Sequence, residues 1–348
     1  MTDTTTPVPL ASGVRTVPSV RALLGGRVSS GVRRNLQTVL AGIWLLDGIL
    51  QFQPAMFTKN FAQMVIYPTI AGNPGAIASP MNWAQKIILD HPVGTNTAFA
   101  CIQLALGLAI AYRPTAKLGL AASIPWSIAV WWFGEGLGGV LSGNPSPLAG
   151  APGAVILYAL LAMLLWPVDD EAPTPPFPAA RPVGAHAARA LWLVLWGSLA
   201  YLAVAPGNTG ADAVQSQITG MVDGQPGWLA SIMNHAADLT AGRGTEFLIV
   251  LAVLLGAIAV SVYVPSPQVR RAAVILAFVV AAVIWVIAEA FGGVFQGMGT
   301  DPNTGPLLAL IAAAYWPTRG VVRARAGAAV DAAVDADVSA EVGEGGRG

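Results

Sequence analysis

The amino-acid sequence predicts an all-α integral membrane protein of eight transmembrane helices, arranged as two tandem four-helix bundles with amphipathic helices in the extracytoplasmic segments. Three observations carry that expectation. Of the 348 residues, 55% are apolar and only 10% are charged, at a mean hydropathy of +0.62, whereas a soluble domain carries about 25% charged residues to coat its water-facing surface. Apolar runs of membrane-crossing length recur along the chain. Segments of the first half return in the second at a nearly constant offset.

Crossing ~30 Å of hydrocarbon takes ~20 residues of helix. On that measure the spans fall near residues 36–56, 95–112, 117–137, 150–166, 189–205, 246–264, 271–291 and 305–322. The last has only GPLLALIAAAYW before Pro317, about 18 Å of helix at 1.5 Å per residue, so it draws on flanking residues or starts below the membrane surface.

Basic residues set the orientation. Residues 1–34 hold Arg15, Arg21, Arg27, Arg33 and Arg34 without an early apolar core, which reads as a basic cytoplasmic tail and not a signal peptide. With that tail inside, fifteen basic residues are cytoplasmic and only Lys59, Lys86 and Arg243 are external, the positive-inside bias of an inner (cytoplasmic) membrane protein with both termini in the cytoplasm. The expected domains are the tail (1–34), a first repeat (35–167), a cytoplasmic linker (168–188), a second repeat (189–318) and a low-complexity tail (319–348). The linker follows from PVDDEAPTPPFPAARP, six prolines in sixteen residues with Asp169, Asp170 and Glu171, a density that resists helix and sheet.

GNPGAIASPMN at 72–82 returns as GQPGWLASIMN at 224–234, seven of eleven positions identical, and Glu135-x-x-Gly138-Gly139-Val returns as Glu289-x-x-Gly292-Gly293-Val. Each half has four spans, an even number, so both copies enter from the same side, related by an axis along the membrane normal: a parallel repeat. Between the first two spans of each half lies an outer segment too polar to cross. Ile77, Met81, Ala84 and Ile88 in one copy, and Trp228, Leu229, Ile232, Met233 and Ala236 in the other, recur at helical spacing. They mark amphipathic helices that either lie at the interface, anchored by Trp83 and Trp228, or simply cap the bundle.

RNLQTVLAGIWLLDGILQFQPAMFTKNF resembles the first helix of the DoxX family, and FACIQLALGLAIAYRPTAKLGLAASIPWSIAV resembles its second and third. EFLIVLAVLLGAIAVSVYVPSPQVRRAAVILAFVVAAVIW repeats the pattern more loosely. The resemblance implies a four-helix membrane bundle per half and, for some relatives, the membrane subunit of a quinone-linked oxidoreductase. Where such second helices often carry Glu, this chain has Gln103, and Val253 or a neighbour in the second copy.

Charges inside a membrane cost at least ~2.5–3.5 kcal/mol at its centre, so they mark candidate sites. Asp47 lies roughly 20 Å up the first span from Arg34. Gln51 follows at i+4, and Gln103 falls at a similar depth on the second span. The three form either a polar pocket or interhelical packing bonds. Glu135 and Glu289 recur with their glycines near the outer surface, and Gly134-x-x-x-Gly138 permits close helix contact. The two carboxylates either face each other and bind a cation or share a proton, or each holds its own Gly/Pro-rich loop through backbone N–H bonds.

His91, His235 and Asp301, with the two glutamates, are the weak candidates for an outer copper or zinc site. His186 belongs to the linker. Cys101 reads as a small buried packing residue, and as a lone cysteine it excludes an intrachain disulfide or cysteine-cluster metal site. Eighteen basic and eighteen acidic residues cancel, which excludes a nucleic-acid partner held by overall positive charge.

The function expected is non-enzymatic: a bilayer-embedded module that binds or transports a small ligand or ion at an outward-facing polar vestibule. Two alternatives stand beside it. One is a redox subunit that holds a quinone and depends on a protein partner for its redox centre. The other is a scaffold or assembly factor.

Overall fold

The computed structural model describes residues 31–143, 145–168 and 175–318, all helix and connecting turns with no strand among them. In the first half, α1 (Gly31–Leu50) leads through a 3₁₀ turn (Pro54–Phe57) and a π-turn (Phe61–Ile66) to α2 (Gly75–Asp90). Then come α3 (Pro92–Ala111), α4 (Ala116–Phe133) and α5 (Ala154–Leu164). The second half contains α6 (Ala185–Ala203), α7 (Ala213–Thr219), α8 (Gly227–Thr240), α9 (Gly244–Ser261), α10 (Pro267–Val283, continued by a π-turn at Ile284–Ala288) and α11 (Thr304–Ala314).

Three helical stretches are long and apolar enough to cross a membrane: Pro92–Ala111, Gly244–Ser261 and Pro267–Gln296. Their outer faces present Leu108, Val250, Val253, Ile275 and Val279 uncovered, a surface that belongs against lipid. The chain is therefore a helical, membrane-associated protein. Helices α5 and α11 stand where the fourth and eighth spans are expected, yet each has only 11 residues, about 16 Å of rise. Both are almost wholly buried and pack against each other at the join between the halves.

Around that join, α1 packs on α3, α3 on α4 and α4 on α5, while α6 packs on α9, α9 on α10 and α10 on α11. The α1–α3 approach is close because glycines face side chains reciprocally. A Cβ at Gly48 would lie 2.7 Å from Leu104, and one at Gly107 2.7 Å from Leu45, so small residues let the two backbones meet.

The recurring sequence segments take matching local shapes. Gly72 and Gly224 have φ of +76° and +73°, Pro74 and Pro226 cap α2 and α8, and Met81 and Met233 are each fully buried. After each repeated glutamate comes one turn of left-handed backbone, Gly136 to Gly139 (φ +56° to +68°) and Ala290 to Gly293 (φ +45° to +74°). Leu137, Ala290 and Phe291 take this conformation with a side chain, at roughly 1–2 kcal/mol per residue. A matched pair of bonds also ties the halves together. The Gln53 side-chain amide donates to Leu50 O and Gly299 O (both 2.9 Å), and the Asn208 amide donates to Leu202 O and Pro145 O (2.7 and 2.5 Å).

Several boundaries differ from expectation. Among the described residues the first helix already includes Gly31 to Arg34, ahead of the expected boundary at residue 35, and Arg33 and Arg34 are buried in it. Arg34 donates to Ile110 O (2.9 Å) and Ala111 O, and Arg33 to Trp166 O (3.4 Å), placing guanidinium charge on the carbonyl ends of α3 and α5. The helix ends at Leu50, short of residue 56.

The proline-rich linker is structured in its second part. Phe177 is buried and stacks on Tyr315, Ala179 N–H donates to Ala314 O (2.9 Å), and Thr318 bonds Pro175 O and Pro176 O. His186 lies in α6, exposed, and not in a linker. Asp169, Asp170 and Glu171, the arginines before Gly31 and the tail from residue 319 lie outside the described residues.

Cys101 is exposed on α3, contrary to its expected burial. Gly134-x-x-x-Gly138 is not a helix-contact motif, since α4 ends at Phe133 and Gly138 belongs to the left-handed turn. Ile232 is exposed, and α8 turns Leu229, Met233 and Ala237 inward instead.

Candidate functional site

A cavity of about 670 Å³ lies in the first half. Helical spacing aims its lining. Trp44, Asp47 and Gln51 follow each other at i, i+3, i+7 on α1, and Thr95, Phe99 and Gln103 at i, i+4, i+8 on α3. Trp126, Val130 and Phe133 come from α4, and Val155 and Tyr158 from the start of α5. The segment from Phe61 to Ala71 and Trp83 to Ile88 of α2 cover it, and Thr300, Asp301 and Asn303 of the second half close one side.

Asp47, Gln51 and Gln103 all line this cavity, and all three are buried. The Tyr158 hydroxyl donates to Asp47 Oδ2 at 2.5 Å, while the Tyr158 ring packs on Trp44 with centroids 4.2 Å apart. Part of the packing interpretation therefore holds, because one Asp47 oxygen is used to join α1 to α5. Its other oxygen, Oδ1, has no partner, and neither do Gln51 Oε1, Gln103 Oε1, Trp44 Nε1 and Trp126 Nε1. Five unpartnered polar atoms on lining residues form a concentration of unused hydrogen-bonding capacity, each costing about 1–3 kcal/mol if left unmet.

Glu135 and Glu289 work as local clamps. Gly153 precedes the first residue of α5 and has no side chain to cap it. Glu135 reaches across from the end of α4 instead, its oxygens 3.2 and 3.3 Å from Val155 N. In the second half Glu289 accepts from Gly305 N (3.1 Å) and the Thr304 hydroxyl, while the Asn303 side chain takes Thr304 N (2.8 Å). A carboxylate at a helix N-terminus satisfies free N–H groups and opposes the helix dipole. The left-handed turns make this reach possible: a Cβ at Gly138 would collide with the Pro152 carbonyl, and one at Gly292 with the Asp301 carbonyl. Each glutamate is thus engaged within its own half. Glu135 lines the cavity and Glu289 does not.

Asp301 lines the cavity from the second half. The Thr300 hydroxyl donates to its Oδ2 (2.8 Å) and Asn303 N–H to its Oδ1 (2.7 Å). Burial raises this carboxyl above its ordinary range, against the downward pull of those two donors. His91 and His235 are exposed and stand apart from the cavity. Among the described residues no group of three or more His, Cys, Asp or Glu is placed to hold a metal ion.

Trp44, Trp126 and Tyr158 were not among the candidates from sequence. Each sits in an apolar run, where an aromatic residue carries the same signal as core packing. No protein family, curated protein or solved structure matches this chain.

Proposed function

We propose that this chain is a multi-pass membrane protein of eight helices in two tandem repeats, with both termini cytoplasmic, whose first repeat binds a small amphipathic molecule in an outward-facing cavity. The carrying observation is the set of unpartnered polar atoms on a mainly apolar and aromatic wall, the pattern of a small-molecule site. The matching turns, the clamped short helices and the reciprocal Gln53 and Asn208 bonds support the repeat. Asp47 lies sixteen residues beyond Gly31 along α1, about 24 Å of helix, which supports an outward-facing position if the basic end of α1 is cytoplasmic.

The resemblance to DoxX proteins suggests a quinone between the halves, and the lining of this cavity fits one poorly. Quinone carbonyls only accept hydrogen bonds; they would meet the indole N–H groups of Trp44 and Trp126 and the amide N–H groups of Gln51 and Gln103, but would leave the free carboxylate oxygen of Asp47 unanswered. The test is native mass spectrometry of the chain in nanodiscs drawn from its own membrane. The wild type should carry a bound small molecule that is lost in Ala129→Trp, where an indole fills the cavity. Identical bound masses in the two proteins would refute the proposal.

A further inference from the structure

We infer that the ligand of this cavity is a small organic ammonium with a flat apolar body. The inference rests on the binding proposed above and adds the chemical class. Among the described residues no Lys, Arg or His lines the cavity, while three carboxylates do: Asp47, Glu135 and Asp301. That charge balance rejects anions and favours a cation.

The hydrogen bonds then separate the three acids. Glu135 is occupied by Val155 N, and both Asp301 oxygens are occupied by Thr300 and Asn303. Asp47 alone keeps an oxygen without a partner, in a side chain only 1% exposed. Gln51, one turn further along the same face of α1, and Gln103 on the adjoining α3 add two further unpartnered acceptors, at 2% and 9% exposure. Three acceptors, one of them a carboxylate oxygen, answer the three N–H donors of a primary ammonium, which accepts nothing in return.

A bare metal ion fits less well, since the same side chains form no metal-holding cluster among the described residues. The walls suit the rest of the molecule. Trp44, Phe99 and Trp126 give flat faces for an aromatic body and electron-rich faces for its charge. The unpartnered indole N–H groups of Trp44 and Trp126 would meet an acceptor such as a hydroxyl on that body.

The experiment measures binding of 2-phenylethylamine and its neutral counterpart 2-phenylethanol to the full chain in nanodiscs, by calorimetry and by quenching of tryptophan fluorescence. The amine should bind saturably and at least about tenfold more tightly than the alcohol, because a charge-assisted hydrogen bond is about twice as strong as a neutral one. Asp47→Asn should abolish that preference, and Gln103→Leu should weaken amine binding. Should Asp47→Asn fail to fold, the amine-to-alcohol ratio in the wild type and the Gln103→Leu variant decide the matter. Equal binding of amine and alcohol, or no amine binding, overturns the ammonium assignment. Neither result touches the native mass comparison with Ala129→Trp, which tests the cavity as a binding site independently.

Discussion

Replacing Glu135 and Glu289 by Gln, singly and together, tests whether the repeated carboxylates are helix clamps or one shared site. Glu135 meets the start of α5 through the N–H groups of Val155 and Ala154, and Glu289 meets α11 through Gly305 N and the Thr304 hydroxyl. A hydrogen bond to a charged acceptor contributes about 1.5–3 kcal/mol, and a charge beside a helix end about 0.3–1 kcal/mol, rising to ~2 where partly buried. Glutamine keeps an oxygen within reach of the N–H and gives up the charge. Each single change should therefore cost about 1–2 kcal/mol.

Glu289 is almost wholly buried, whereas Glu135 is only half-buried, so Glu289→Gln should cost the more. Unfolding in mixed micelles of rising dodecyl sulfate content, followed by tryptophan fluorescence, gives the three differences on one scale. Independent clamps predict a double variant equal to the sum of the singles within about 0.5 kcal/mol. A double variant no less stable than the worse single one would show that the two groups act as a unit. A cost below about 0.5 kcal/mol for both singles would remove the charged clamp altogether.

Tyr158→Phe should cost about 1–3 kcal/mol by stripping the hydrogen-bond donor from Asp47 Oδ2, read in the same unfolding assay. Gly292→Ala should cost at least about 2 kcal/mol, since its φ is +74° and a Cβ would also lie 2.7 Å from the Pro302 carbonyl carbon. Gly256→Ala, with open space around it in α9, should be neutral or gain up to about 1 kcal/mol. For Asp301, the raised carboxyl means that the folded state holds more protons than the unfolded state between pH 3.8 and the higher folded value. The Asp301 contribution to stability then falls as pH rises through that interval and is level above it, so Asp301→Asn should lessen the slope in melting curves. Reporter domains fused at Pro182 and at the exposed Gly242 should read cytoplasmic and external, and a cytoplasmic signal at Gly242 would refute the eight-span topology.

Much of this arrangement was legible in the sequence because hydropathy and repetition act locally. The three stretches long enough to cross a membrane lie where apolar length alone places them, and Met81 and Met233 are buried where helical spacing points them inward. Asp47, Gln51 and Gln103 could be grouped because helix rise and i+4 spacing fix depth and face. Other features depend on contacts that no window of sequence contains. Leu137, Ala290 and Phe291 adopt left-handed backbone with nothing in their residue type to announce it. Asp301 belongs to the second half but borders the cavity of the first, a placement set by how the halves pack. Phe177 lies hidden in a proline-rich stretch whose composition points to a free linker, yet one buried ring against Tyr315 is enough to tie it down.

Under the proposed repeat, the two halves differ most where the cavity lies. Aligning both copies on their Trp-Pro ends sets Leu308 opposite Tyr158, and the first helices set Trp196 opposite Asp47. Leu308 and Trp196 are buried, and Trp196 packs against Trp192 with ring centroids 5.4 Å apart. The second copy has thus exchanged an acid and its hydroxyl donor for apolar bulk. Filling of this kind stabilises a bundle, whereas a cavity with unmet polar atoms costs stability. A duplicated chain tolerates one such cavity because its other half carries no similar cost at the matching position. The filled half also contributes to the open one. Thr300, Asp301 and Asn303 form part of the cavity wall, and Gln53 and Asn208 fix their register across the join. Any change that loosens the packing of α5 on α11 would therefore reach the cavity from two sides, through Asp301 ahead of α11 and through Tyr158, which α5 holds against Asp47.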